Sequence, residues 1–136
     1  MIQRIQTVWM ILALIAAILT FRFDTYTGMV AISNSYLELN AGSFFRLGLN
    51  TLILCILMAG AILLFKNRSK QKLLCILAFL YEGVVIFLYF REIRNFSTGN
   101  ISLWAILHLA ILAGIILALR GISNDQRLLK ESDRLR

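Results

Sequence analysis

The sequence predicts an all-α membrane protein: a four-helix up-down transmembrane bundle with a short outer loop and a short C-terminal cytoplasmic helix, in one domain, 1–136. Three observations predict it. The chain is 60% hydrophobic, well above the roughly 45–50% of ordinary soluble domains. Its apolar residues gather into four long runs. Charged residues make up only 15% of the chain, with a net charge of +7, and the positive ones lie at the borders of those runs and not on one water-facing patch. That placement points to the lipid bilayer as the surroundings and sets nucleic acid aside as a partner.

A bilayer core about 30 Å thick takes roughly 17–25 helical residues at about 1.5 Å each. The first run, 5–21, lies uncharged between Arg4 and Arg22. A basic residue before an apolar stretch also fits a signal peptide. However, "AAILTFRFD" puts bulky side chains where a cleavage site needs small ones, so a retained helix is expected. The second run, 47–65, lies between Arg46 and Lys66. The third, 73–90, lies between Lys72 and Arg91 and holds one acid, Glu82. The fourth, 101–119, ends at Arg120. No proline interrupts any of them.

The connections set the expected topology. "KNRSKQK" is short enough to force the second and third helices into an antiparallel hairpin. If the N-terminus is inside, the inner segments carry ten Lys and Arg residues and the outer segments four. Lys and Arg favour the cytoplasmic side, so both termini are expected there. In the first outer segment, "FRFDTYTGMVAISNS" alternates Phe, Tyr and Val around a glycine and reads as a β-hairpin. The "YLELNAGS" that follows reads as an interfacial turn or short helix. Past the fourth run, Gly121 ends or loosens the helix. Ser123 or Asn124 then caps a short cytoplasmic helix with Leu128, Leu129 and Leu135 on one edge.

The opening Met1-Ile2-Gln3-Arg4-Ile5-Gln6 and the closing run from Asp125 through Leu128 and Ser132 to Asp133-Arg134-Leu135-Arg136 carry a resemblance. The chain resembles the domain-of-unknown-function family 4293 of small bacterial membrane proteins. The basic inner loop, 68–71, is similar as well. The resemblance implies a four-span layout in a bacterial inner membrane and supplies no activity. Related chains often carry prolines near the fourth span. This one has none, so a straight fourth helix is expected.

Glu82 falls near the bilayer midplane. There a charge costs roughly 2.5–3.5 kcal/mol even on lenient insertion scales. It must be protonated, paired or wet. His108 lies at a matching depth, and Asn50 and Arg46 lie within reach at the outer end of the second helix. This intramembrane polar cluster either clamps the helices by hydrogen bonds or handles a proton or ion. Ala110, Gly114 and Ala118 form a small-residue stripe on the fourth helix, which lets another helix of this chain or of another protein come close.

Cys55 and Cys75 form no C-x-x-C and have no histidine cluster, so they read as packing residues with no metal. No glycine-rich phosphate loop and no serine–histidine–aspartate set can be assembled. No catalytic residues and no cofactor are therefore expected. Gln3, Arg4 and Gln6, Arg68 of the inner loop, and Asp125, Leu128, Ser132, Asp133, Arg134, Leu135 and Arg136 gather on the inner side. They form a candidate cytoplasmic docking face, in which the arginines can grip carboxylates in bidentate fashion. The function expected is a non-catalytic accessory or scaffold subunit that docks there on a larger membrane-protein partner. The alternative is a small proton- or ion-coupled transporter or channel using Glu82 and His108.

Overall fold

A computed structural model describes residues 2–134, with the backbone alone at 2–4, 129–130 and 132–134. In chain order the elements are α1 (Ile2–Leu19), β1 (Tyr26–Val30), β2 (Tyr36–Leu39), α2 (Phe45–Leu63), α3 (Arg68–Ile93), β3 (Phe96–Ile101), a 3₁₀ turn (Leu103–Ala105) and α4 (Ile106–Arg134). Among the described residues three stretches are long and apolar enough to cross a membrane: α2, α3 and Leu103–Leu128. The apolar part of α1, Ile5–Leu19, is shorter.

The helices form a ring. α1 packs on α2 and α4, and α3 packs on α2 and α4, with α1–α4 the most extensive seam. Each helix turns inward one line of side chains spaced alternately three and four apart. On α1 the line is Gln6, Met10, Ala13, Ala17 and Thr20. On α2 it is Leu47, Thr51, Leu54, Met58 and Ala61. On α3 it is Gln71, Cys75, Ala78, Glu82, Val85 and Tyr89, and on α4 it is Ile111, Ile115, Ala118, Ile122 and Asp125. This is the spacing of a knobs-into-holes seam. Many leucine, isoleucine and phenylalanine side chains outside the lines stay exposed, Phe87 and Leu80 among them. Apolar burial supplies no drive between helices in lipid, so small and polar residues mark the inward face.

Gly114 shows why the seam is narrow. A Cβ built there would stand 2.8 Å from the Ala13 Cβ and 3.1 Å from the Trp9 carbonyl oxygen. The small-residue stripe is thus used within the chain by α1. It is also shorter than the sequence implied, because Ala118 is buried while Ala110 is exposed. The reason is rotational: Ala110 lies off the line that runs through Leu107, Ile111 and Gly114.

The outer end departs most from expectation. The hairpin's second strand lies outside "FRFDTYTGMVAISNS" and comes from Tyr36–Leu39, where a turn or helix was expected. Asn34, with φ at 48°, makes the turn, a position asparagine tolerates better than most residues. The second outer loop then adds β3 antiparallel to β1, giving the order β2-β1-β3. A two-stranded hairpin is marginal alone; β3 pairs the second edge of β1, with Tyr26 opposite Ile101. Leu39 meets Leu47, Val85 and Tyr89 in a buried cluster that seats the sheet on α2 and α3.

Strand β3 also corrects the fourth span. Ile101 belongs to the sheet, so the helix begins at Ile106 and not at 101. At the other end it runs unbroken to Arg134. Gly121 does not stop it, and the separate tail helix capped by Ser123 or Asn124 is absent. Gly121 sits against α1, where a Cβ would come within 2.5 Å of the Gln6 Cγ. The glycine serves close helix packing, and the helix continues through it.

Candidate functional site

Near the middle of α3, Glu82 is fully buried, and His108 in the first turn of α4 is 7% exposed. The α3–α4 packing brings His108 Nδ1 to 2.7 Å from Glu82 Oε1, a shared hydrogen bond. The other two heteroatoms, Glu82 Oε2 and His108 Nε2, are buried with no hydrogen-bond partner. The Tyr89 ring packs edge-on against the imidazole, with ring centroids 4.8 Å apart.

Arg46 and Asn50 do not join this pair. The Asn50 amide donates to the Arg46 carbonyl oxygen and its oxygen accepts from the Tyr81 hydroxyl, both at 2.7 Å. Arg46 is exposed. It begins a helix at the outer end, where a long cationic side chain reaches water. The cluster is therefore two separate links, Glu82–His108 between α3 and α4 and Asn50–Tyr81 between α2 and α3.

A second polar group closes the other end of the ring. Arg68 Nη1 lies 3.7 Å from Asp125 Oδ2, joining the start of α3 to α4. Gln6 is 5% exposed and packs on Gly121. Gln71 is buried beside Met10, its amide 3.9 Å from the thioether sulfur. Arg68 and Asp125 of the expected docking face thus turn toward each other, and Gln6 packs on the same helix as Asp125. Beyond them α4 continues, with Leu128 53% exposed and Arg127 bonded to Glu131 at 3.0 Å. The side chains of Gln3, Arg4, Ser132, Asp133 and Arg134, and all of Leu135 and Arg136, lie outside the described residues.

The sequence singles out none of Gln71, Thr51 and Thr20, all buried, and its outer-edge aromatic Tyr89 is buried as well. The signal that finds them is the spacing of small and polar residues, alternately three and four apart, within each apolar run. The two threonine hydroxyls donate to carbonyls of their own helices, Thr51 to Leu47 and Thr20 to Ala17. Cys75 is buried with its Sγ 3.5 Å from the Met10 Sδ, and Cys55 is half-buried. Among the described residues no three His, Cys, Asp or Glu side chains converge as a metal site would require.

A family model described as "Domain of unknown function (DUF4293)" matches residues 2–135. No curated protein matches the chain, and no solved structure does.

Proposed function

The chain belongs to that family of unknown function, and from this premise we propose that it is a four-span protein of the bacterial inner membrane, both termini cytoplasmic. In this reading it is a non-catalytic accessory or scaffold subunit. One observation carries the reading: α4 has 29 residues, about 43 Å at the helical rise, against a bilayer core of about 30 Å. The surplus turns continue past the Arg68–Asp125 link as a helix with mixed charges and an exposed leucine. A segment already helical before it meets a partner loses less conformational entropy on binding than an unfolded one, which favours affinity. The excess of Lys and Arg on the side holding 66–72 and 120–136 supports the cytoplasmic assignment. The α1 stretch, though short, completes the crossing that places both ends together.

The test is photocrosslinking in intact cells from a benzoylphenylalanine at position 128, with position 87 on the lipid-facing surface as control. One adduct of a single mass, formed from 128 and absent from 87, is expected. Irradiation that yields no adduct, with the protein recovered as a lone monomer from native-lipid discs, would overturn the subunit reading.

The buried Glu82–His108 link, with its two unbonded heteroatoms, favours a second reading: a small proton- or ion-coupled transporter or channel. It requires a pH-dependent flux in proteoliposomes that Glu82→Gln abolishes while the fold is kept. Wild-type liposomes without such a flux would dispose of it.

A further inference from the structure

Between the outer halves of α3 and α4 lies a cleft of about 570 Å³, lined by Ile86, Tyr89 and Phe90 on one side and Ala105, His108 and Leu109 on the other. Its volume falls in the range of small-molecule sites. Phe90 and Leu109 at its mouth are exposed to the lipid side. Its walls are almost wholly apolar; the polar residues among them are His108, Tyr89, Ser102 and Thr25, the last beside the Tyr89 hydroxyl.

We propose that this cleft binds a neutral, membrane-soluble alcohol or phenol, whose hydroxyl bonds to His108 Nε2. The imidazole is fixed by its Nδ1 contact to Glu82, and Nε2 is left buried and unbonded. A buried polar atom without a partner is unfavourable, and a polar ligand group relieves that cost. The kind of group follows from proton counting. One proton lies between Nδ1 and Oε1. If Nδ1 carries it and the ring is neutral, Nε2 is an acceptor; if the ring is an imidazolium, or if Glu82 carries the shared proton and the neutral ring keeps its own on Nε2, Nε2 is a donor. A hydroxyl both donates and accepts, so it suits either arrangement, whereas an ether oxygen only accepts. A charged ligand is disfavoured by the apolar walls.

His108 is the chain's only histidine, so ring-¹⁵N-histidine protein in lipid discs reports on this site alone. The probe is 4-decylphenol, and the control is 4-decylanisole, its methyl ether. The phenol is expected to shift the Nε2 resonance saturably, and the ether is not. Leu109→Trp, at the exposed mouth, narrows the cleft and should weaken the phenol response by about tenfold or more. Equal shifts with both compounds would mean that the cleft takes up any apolar chain, such as a lipid tail, and would overturn the proposal. So would the absence of any shift. The result is independent of the crosslinking from position 128.

Discussion

At the scale of single residues, the helical rise alone brought Glu82 and His108 to one depth before any fold was known. That two groups so placed meet at 2.7 Å needed the rotation of each helix about its own axis, which a residue count does not carry. The same missing rotation sent Asn50 to Tyr81, and Arg46 to the surface. The pair can be weighed by a double-mutant cycle on chemical unfolding in mixed micelles. Glu82→Leu strands the imidazole, and a loss of about 1–2 kcal/mol is expected, the size of interhelical hydrogen bonds in membranes. His108→Leu should cost a similar amount, and the double variant less than the two together. Strict additivity would show that the two side chains are not coupled. Tyr81→Phe removes only the bond to Asn50 and should cost about 0.6 kcal/mol in the same assay.

At the scale of elements, composition located the helices because a long uncharged run has no other stable form in lipid. Their inward faces were less legible, because the same apolar residues line both the interior and the lipid side. Small and polar residues carried that information, and Gly114 and Ala118 were the part of it visible as a stripe. Gly114→Ile is expected to push α1 away from α4, since backbone and Cβ atoms of α1 stand within van der Waals contact of the new side chain. A loss of about 1–3 kcal/mol follows from overpacking, read as a lower thermal midpoint in detergent. Gly121→Ala meets only the flexible Gln6 side chain and should lower the midpoint by less. The opposite ranking would mean that the α1–α4 seam is not built around Gly114. The strands were half-legible. β1 shows in the alternation of Tyr26 to Val30, while β3, in "FSTGNI", depends on a partner edge remote in sequence.

At the scale of the whole molecule, the ring of four helices with a sheet at one end and a projecting α4 at the other predicts sidedness. On a Cys55→Ala, Cys75→Ala background, Ser33→Cys at the turn after β1 should react with a membrane-impermeant maleimide in intact cells. Glu131→Cys on the projecting helix should react only after permeabilisation. Labelling of both from outside would remove the shared inner end and the docking proposal with it. The sequence by itself determined the medium, the number of apolar runs and which charges border them, because transfer into lipid depends on the composition of a segment and not on its neighbours. Only the tertiary structure decided which faces turn inward, that Gly121 continues a helix, and that Tyr36–Leu39 and Phe96–Ile101 complete a sheet. Those outcomes are set by contacts between segments far apart in the chain, and no local stretch contains the atoms that make them.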